Sequence, residues 1–404
     1  NQQSTKLSTQ SNIVFRPEQL AAIKQTIRVY KKKNDMLWNA KMRFGKTLSA
    51  LEVIKRQEFK KSIIITHRPI VDSGWFEDFK KIFGETDYRY GSKKLGLTLD
   101  NLLSSDESSS FVYFSSIQDL RGASLVGGKF DKNEQLFNAN WDFIIIDEAH
   151  EGTTTERAEL VLSSLRNETT KVLKLSGTPF NLLDDYDESQ IYTWDYVMEQ
   201  EAKQLWDSEH PGDCNPYSSL PEMKMFVYEL GHLIKNQAFV DVENKSFNFS
   251  EFFKVIPTNA EGESYSFCHE SEIWSFLCLI SRSDDYKHDT TNLPFSTEKY
   301  RNELRHTLWT LPSRKSAVLL EEMLKRHPVF SHYNVANLVD DDSEEDLEKI
   351  KQAITDTPED AYSITLTVRK GTVGTTVEEW TGILVLNNTE SASNYLQSIF
   401  RVQS

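Results

Sequence analysis

The stretch from Trp141 to His150 reads W-D-F-I-I-I-D-E-A-H and decides how the rest of the chain is interpreted. Its run of bulky apolar residues, 143–146, is typical of a strand that is buried on both faces of a parallel sheet. That strand stops on two carboxylates, Asp147 and Glu148. Ligands of open α/β sheets bind at the carboxyl ends of strands, so the acidic pair predicts a magnesium ion and a polarised water. The alternative is a core strand followed by a solvated acidic turn.

A second pattern lies upstream, where a short strand, 35–39, runs into A-K-M-R-F-G-K-T at residues 40–47. A helical segment follows, and the order of strand, loop and helix is that of a phosphate-binding P-loop, G-x-x-x-x-G-K-[ST]. Ala40 replaces the first glycine, but backbone N–H groups at a helix N-terminus still suit phosphate oxygens. In this arrangement Lys46 reaches the β- and γ-phosphates and Thr47 coordinates Mg²⁺. A chance G-K-T is the alternative, and the acidic strand end weighs against it.

Other short strands of the first region also end on polar side chains. The ends of two of them carry the residues Thr66, His67, Arg68, Ser115 and Ser116. Such groups at one edge of a sheet suit contact with a sugar-phosphate backbone, although simple strand capping is the alternative. A further strand ends at S-G-T-P, where Ser176 and Thr178 can hydrogen-bond to the acidic pair. Short strands alternating with helices predict a doubly wound α/β domain.

The strand–helix alternation breaks after Phe180 and resumes near His306. We therefore predict an α/β protein with two parallel-sheet domains and a mostly helical insertion between them. The second sheet is cut off soon after Arg401, so we expect the natural protein to continue beyond Ser404. The predicted segments are a disordered tail over 1–11, a first domain over 12–180, the insertion over 181–303 and a second domain over 304–404.

Composition allows ordinary packed cores, with 404 residues of which 38% are hydrophobic and 26% charged. No apolar run approaches the roughly 18 residues that a membrane span needs, so no membrane partner is predicted. The three cysteines match no zinc or disulfide spacing, and reduced thiols are typical of a cytoplasmic protein. A net charge of −15 argues against a protein that coats nucleic acid nonspecifically, but allows a motor that grips a strand in a local cleft.

An ordered series of motifs gives the chain a specific resemblance. It runs F-R-P-E-Q, A-K-M-R-F-G-K-T, I-I-I-T-H-R, Y-F-S-S, D-E-A-H, S-G-T-P, R-K-G-T-V-G and Y-L-Q-S-I-F-R. This series resembles that of superfamily 2 helicases and translocases with a DEAH box, and it covers nearly the whole chain except 181–303. The resemblance implies two RecA-like domains that bind ATP and Mg²⁺ between them.

The resemblance also implies a role for each matching residue. ATP binding falls to Arg16, Gln19, Arg43, Gly45, Lys46, Thr47 and Gly374, with adenine recognised by Gln19. Asp147 and Thr47 would bind the metal, Glu148 would activate water, and Arg401 would act as an arginine finger. The residues that couple hydrolysis to motion would be His150, Ser176, Thr178 and Gln397, and Arg369 would join the nucleic-acid contacts.

Two stretches narrow the resemblance to restriction-associated motors. They are H-T-L-W-T-L-P-S at 306–313 and the ending Y-L-Q-S-I-F-R-V-Q, which are similar to type I, type III and single-chain restriction-modification enzymes. The spacing of Arg369, Gly371 and Gly374 resembles that of translocases on double-stranded DNA. One departure is that Phe400 and Ser404 replace the glycine and second arginine of Q-x-x-G-R-x-x-R, which leaves Arg401 as a single finger.

Three functions follow as alternatives. The first is an ATP-driven translocase on double-stranded DNA within a restriction or phage-defence enzyme, whose nuclease and methyltransferase modules lie elsewhere in the chain or complex. The second is an RNA helicase, against which the insertion and the R-x-G-x-x-G pattern weigh. The third is a nucleotide-controlled scaffold without catalysis, against which the intact Lys46, Asp147 and Glu148 weigh.

Overall fold

Two parallel β-sheets, one in each half of the chain, organise the fold in the computed structural model. The chain divides into two units, Asn1–Ser219 and Leu220–Ser404. The predicted tail lies outside the described residues. The structure describes residues 13–66, 72–104, 109–121, 134–149, 156–227, 240–241, 246–259, 264–281, 293–338, 343–355, 362–368, 377–389 and 391–403.

The sheet of the first unit has seven strands within the described residues, and every pairing in it is parallel. In chain order the strands are β1 Asp35–Ala40, β2 Lys61–Thr66, β3 Arg89–Gly91, β4 Phe111–Ser116, β5 Phe143–Ile146, β6 Lys171–Ser176 and β7 Ile191–Trp194. Their order across the sheet is β3-β4-β2-β5-β6-β1-β7. The strand that precedes the P-loop and the strand that precedes the acidic pair are thus separated only by β6.

Helices connect these strands. They are α1 Pro17–Val29, α2 Lys46–Gln57, α3 Asp72–Phe83, α4 Leu99–Leu103, α5 Ile117–Arg121, α6 Glu134–Phe137, α7 Glu156–Leu165 and α8 Tyr196–Glu209. Pro17 occupies the first turn of α1, where its missing N–H costs nothing and its fixed φ suits the helix.

Alternation of side chains along each strand builds a separate core on each face of the sheet. In β5, Phe143 and Ile145 belong to the cluster that includes residues of α1, α2 and α3. Ile144 and Ile146 belong to the opposite cluster, which includes residues of α4 to α7. All four side chains are at most 2% exposed. The prediction that this strand is buried on both faces is confirmed.

The second unit repeats the pattern with a parallel sheet in the order β13-β14-β12-β15. The described strands of this unit, of which the last four form the parallel sheet, are β8 Val240–Asp241, β9 Ser246–Phe247, β10 Val255–Pro257, β11 Tyr265–Phe267, β12 His306–Leu311, β13 Tyr333–Leu338, β14 Tyr362–Val368 and β15 Gly382–Val385. Its described helices are α9 Phe249–Phe252, α10 Glu270–Ser281, α11 Glu298–Glu303, α12 Arg314–Arg326, α13 Ser343–Thr355 and α14 Ala392–Ile399. The predicted α/β class with two parallel sheets is confirmed.

The region 181–303 differs from the prediction of a single, mostly helical insertion. Its first strand, β7, pairs with β1 and extends the first sheet, so that the first unit continues to Ser219. Further along, β10 and β11 form an antiparallel pair within the second unit. The difference arises because edge strands of three or four residues carry too little periodicity to be recognised in the sequence. Among the described residues, no helix is long and apolar enough to cross a membrane.

Candidate nucleotide-binding site

Three of the predicted motifs come together at the carboxyl edge of the first sheet. The P-loop follows β1, the acidic pair follows β5, and S-G-T-P follows β6, which lies between them. Backbone hydrogen bonds fix this edge, because Asp147 N–H donates to the Ile65 carbonyl at 2.9 Å and Ala149 N–H to the Leu175 carbonyl at 3.0 Å. The sheet therefore brings together the residues that the sequence predicts to bind phosphate and metal.

The backbone of the P-loop takes the left-handed conformation at two positions. Gly45 has φ +85° and Arg43 has φ +65°. A Cβ on Gly45 would stand 2.4 Å from Gln19 Nε2, so only glycine fits this turn. Helix α2 begins at the next residue, and the first N–H groups of a helix have no acceptor within it. The loop thus presents backbone donors of the kind that bind phosphate.

Lys46 is held at the base of this loop by two carbonyl oxygens. Its Nζ donates to Ala40 O at 2.8 Å and to Lys41 O at 3.3 Å. A Cβ added to Gly177 of the S-G-T-P turn would lie 4.0 Å from the same Nζ. The ammonium group therefore lies between the P-loop and the end of β6, on the path toward the acidic pair.

Arg16 and Gln19 hold the outer side of the P-loop. Arg16 Nη2 donates to Arg43 O at 2.8 Å and to Phe44 O at 3.0 Å, and Gln19 Nε2 donates to Phe44 O at 2.7 Å. Gln19 Oε1 in turn accepts from Arg16 N–H at 2.7 Å. Both residues thus contact the loop itself; that they bind ATP stays a prediction. Adenine recognition by Gln19 stays a prediction.

Asp147 is fixed by two donors on its two oxygens. Its Oδ1 accepts from Glu148 N–H at 3.0 Å, and its Oδ2 accepts from the indole Nε1 of Trp75 at 3.2 Å. Trp75 lies in α3 and is only 2% exposed, so its ring is held firmly by the core. Glu148 has φ +49°, a conformation that turns the chain sharply after the strand.

The electrostatics of this pair point to a cation site. Burial raises the pKa of Asp147 from 3.8 to about 6, and the neighbouring Glu148 charge adds to the rise. The positive charge of Lys46 and the hydrogen bonds from Trp75 and the Glu148 N–H oppose that rise in pKa. An anionic pair that the protein compensates only in part is stabilised by a bound divalent cation.

The S-G-T-P turn is buried. Ser176 is 0% and Thr178 is 3% exposed, and Thr178 N–H donates to Ser176 Oγ at 3.1 Å. This hydrogen bond joins residues two positions apart and stabilises the turn at the end of β6, next to Lys46. The proposed role of the two hydroxyls in coupling hydrolysis to motion stays a prediction.

The residues present fit a magnesium–nucleotide complex. Mg²⁺ is usually bound by one or two carboxylates together with phosphate oxygens and water rather than by an all-protein cage. Asp147 offers such a carboxylate, and Thr47 lies half-buried in the first turn of α2. A cluster of three or more metal-binding side chains is absent from the described part of the chain.

Three of the residues predicted to contact nucleic acid are buried at the ends of β2 and β4. Thr66 and Ser116 are paired neighbours at the ends of β2 and β4, with Ser115 beside them. All three are buried, at 3%, 1% and 7% exposure in the order Thr66, Ser116, Ser115. Ser116 Oγ accepts from Asp119 N–H at 3.2 Å and donates to Asp119 Oδ2 at 3.0 Å, so it caps α5. The Ser116 hydroxyl therefore has the capping role that the sequence left open as the alternative to nucleic-acid contact.

Several predicted site residues fall outside what the structure describes. They are His67, Arg68, His150, Arg369 and Gly374. Gln397 lies in α14 and Arg401 in the 3₁₀ turn after it, but their side chains are also outside the described part. The coupling, finger and DNA-contact roles of these residues stay predictions.

Sequence reasoning missed two groups that act on the site. One is Trp75 of α3, whose contact with Asp147 joins positions 72 residues apart. The other is the segment after β7, where Glu199 of α8 pairs with Lys41, at a separation of 158 residues. No local pattern signals either contact, because both depend on the register of the whole sheet.

Part of the first unit matches a known protein family. The model of the family described as type III restriction enzyme, res subunit, matches residues 12–181. Residues 12–181 are thus similar to the res subunits of type III restriction enzymes. The resemblance read from the motif series is confirmed, and the matched residues enclose the P-loop, the acidic pair and the S-G-T-P turn.

One curated relative of this chain is a Mycoplasma pneumoniae protein named as the putative type II restriction enzyme and methyltransferase RM.MpnORF110P C-terminus. It is 25% identical over 454 aligned residues, which cover 96% of this chain and 61% of the relative. The chain thus spans about three fifths of the length of the curated relative that it matches.

Among solved structures, this chain is similar to the ATP-dependent Type ISP restriction-modification enzyme LlaBIII bound to DNA. The match has a TM-score of 0.55 and 13% identity, and covers 96% of this chain and 27% of that one. The likeness shows a shared fold, and confirms the predicted RecA-like sheets. A weaker match, with a TM-score of 0.36 and 14% identity over 93% of this chain and 82% of that one, is the Sulfolobus solfataricus SWI2/SNF2 ATPase core in complex with dsDNA.

Proposed function

We propose that this chain is an ATP-driven motor that moves along double-stranded DNA as part of a restriction-modification or phage-defence enzyme. The observation that carries the proposal is the meeting of Lys46, Asp147 and Glu148 at one sheet edge, in a domain of the restriction-enzyme family. Phosphoryl transfer needs little covalent chemistry from a protein beyond positioning and charge stabilisation. A P-loop facing a carboxylate pair supplies both.

Each residue has a part in the proposed hydrolysis. The P-loop N–H groups and the Lys46 ammonium bind the β- and γ-phosphates, and Asp147 with Thr47 holds the metal. When bound, Mg²⁺ supplies charge neutralisation at the phosphate oxygens. Glu148 orients the attacking water and accepts its proton, for which a carboxylate in this position is suited.

Double-stranded DNA is the proposed track. Support comes from the solved relative of the same fold, whose title describes a restriction-modification enzyme bound to DNA, and from the curated relative, whose name combines restriction and methyltransferase functions. We therefore propose that nuclease and methyltransferase modules act with this motor in one chain or complex. Nothing in the described residues favours RNA, and RNA remains an outcome of the test argued below.

The experiment that tests ATP use compares the parent with Lys46→Ala. Removing the ammonium deletes a charge that the phosphates need, so we expect ATP hydrolysis to fall below detection. The fold should persist, because the hydrogen bonds of the Lys46 ammonium within the described residues go to two backbone carbonyls. Phosphate release and circular dichroism measure the two effects. Parental hydrolysis by a folded Lys46→Ala protein would remove the P-loop assignment.

A further inference from the structure

The segment that follows the seventh strand is bound to the P-loop through its backbone. Strand β7 runs parallel to β1, with Trp194 opposite Ala40 at the carboxyl end of the pair. The N–H of Lys41, the next residue of the loop, donates to Trp194 O at 2.9 Å. Asp195 then caps α8, since its Oδ1 accepts from Met198 N–H at 2.9 Å. This places the first turn of α8, and with it Glu199, against the start of the P-loop.

A buried ion pair completes that contact. Lys41 Nζ lies 2.6 Å from Glu199 Oε1, and the two side chains are only 5% and 0% exposed. Burial lowers the pKa of Lys41, and the Glu199 carboxylate opposes this by pairing with the charge. Within the described part of the chain, Glu199 Oε2 has no hydrogen-bond partner. A carboxylate is costly to bury, so its position at this site is explained by the lysine that it faces.

The same two loop residues also hold the phosphate-binding lysine. Lys46 Nζ donates to the carbonyls of Ala40 and Lys41, the residues that β7 and Glu199 fix from the other side. A shift of Lys41 would therefore move both acceptors of Lys46 and the first turn of the loop. Since phosphate binding depends on the placement of these N–H groups and of the ammonium, such a shift would weaken nucleotide binding.

We infer that Glu199 is a positioning residue of the nucleotide site, which acts through Lys41 to hold the P-loop ready for phosphate. This inference rests on the proposed function and goes beyond it, because no motif of the P-loop or the acidic pair includes α8. It also assigns a function to the segment 191–209, which holds the nucleotide loop from the edge strand beside β1. A purely structural ion pair is the competing explanation, and the experiment separates the two.

The test uses the full-length protein and a matched pair of substitutions. Glu199→Gln keeps the size of the side chain and removes its charge. The control is Asp35→Asn, which breaks the ion pair of Asp35 with Arg166 (two contacts of 3.0 Å) at the opposite end of β1. We expect Glu199→Gln to raise the dissociation constant of a fluorescent ATP analogue about tenfold, as the loss of one charge-assisted contact would. Its kcat at saturating ATP should stay within about twofold, since the reacting groups are intact.

The control should lose stability on heating but bind ATP like the parent. Equal ATP affinity of parent and folded Glu199→Gln would overturn the inference, and so would equal weakening by both substitutions. If Glu199→Gln does not fold, the double variant Lys41→Met/Glu199→Gln removes both buried charges. We expect it to fold and to bind ATP weakly, whereas parental affinity in the double variant would overturn the inference. If the parent binds no ATP, or Lys46→Ala binds it equally well, the proposed function fails, and this inference with it.

Discussion

At the scale of single residues, Asp147 and Glu148 are adjacent carboxylates with different surroundings. Asp147 receives hydrogen bonds on both oxygens, from Trp75 and from the backbone, and its pKa is raised mainly by burial. Glu148 sits on a backbone of positive φ at the turn that follows the strand. The different proposed roles of the two carboxylates agree with this difference.

The raised pKa of Asp147 gives a prediction about pH. Between 3.8 and about 6 the folded protein holds a proton that the unfolded chain has lost, so stability falls as pH rises through this window. Asp147→Asn removes the penalty and still accepts the Trp75 hydrogen bond. For this half-buried group we expect a gain of about 1 kcal/mol above pH 7, or about 2–4 °C in Tm. Thermal unfolding in EDTA should show the gain at pH 7.5 and its disappearance toward pH 4; a pH-independent gain would contradict it.

Glu148→Gln tests the assignment of the proton acceptor. The amide has the size of the acid but cannot take a proton from water, so turnover should fall by about 10²–10⁴. ATP binding should be unchanged, because Asp147 and the P-loop are intact. Phosphate release and equilibrium binding of a fluorescent ATP analogue measure the two quantities. Joint loss of binding and turnover would make Glu148 a structural residue of the turn.

The residues that the sequence marks for the candidate site belong to short motifs. Lys46, Asp147 and Gly45 were recognisable because phosphate and metal chemistry fixes both the residue type and the spacing. Trp75 and Glu199 were not, since their roles come from contacts across 72 and 158 positions of the chain. A buried indole donor and a buried carboxylate look in the sequence like an ordinary aromatic residue and an ordinary helix charge.

At the scale of elements, the predicted strands 35–39 and 143–146 agree with β1 and β5 to within one residue. Strands such as β5 and β12 are buried, and their apolar runs between polar ends are distinctive. β3 and β7 were missed because each is an edge strand of three or four residues. The main error was to treat the chain after Phe180 as a new region, although it first returns to the sheet.

That returning segment is also fastened to α1, which gives a prediction about stability. The buried Tyr217 donates its hydroxyl to Glu18 Oε2 at 2.6 Å, and Arg16 Nε donates to Oε1 at the same distance. Tyr217→Phe leaves a buried carboxylate oxygen with one donor fewer, so we expect a loss of about 1–3 kcal/mol in the free energy of unfolding. Denaturant unfolding measures the loss.

A matched control is Tyr88→Phe. The Tyr88 hydroxyl donates to Phe59 O at 3.1 Å from a half-buried position, where water can replace the lost bond. The loss of stability should therefore be smaller than for Tyr217→Phe. Equal losses, or none for Tyr217→Phe, would mean that the Glu18 contact does not hold the segment in place.

At the scale of the whole molecule, the net charge of −15 conflicts with a polyanionic track only if binding requires a broad basic surface. A motor contacts few phosphates at a time, and each contact releases condensed counterions. We therefore predict that double-stranded DNA stimulates ATP hydrolysis, and that the stimulation falls steeply as salt is raised. The slope of log affinity against log salt should be about −0.9 for each phosphate contacted.

The contacts with DNA are predicted to involve a few residues at one place. The effect of a charge reversal on DNA stimulation should therefore depend on where the reversal is made. Arg68→Glu, at the strand end marked by the sequence, should raise the DNA concentration for half-maximal stimulation and leave hydrolysis without DNA unchanged. Lys32→Glu is the matched control. This exposed lysine lies between α1 and β1, at the end of the sheet where β1 begins. It changes the net charge equally, so equal effects of both variants would indicate a diffuse field instead of a defined track. Stimulation by RNA but not by duplex DNA would remove the restriction-motor proposal and favour an RNA helicase, because the ATP site is common to both while the track is not.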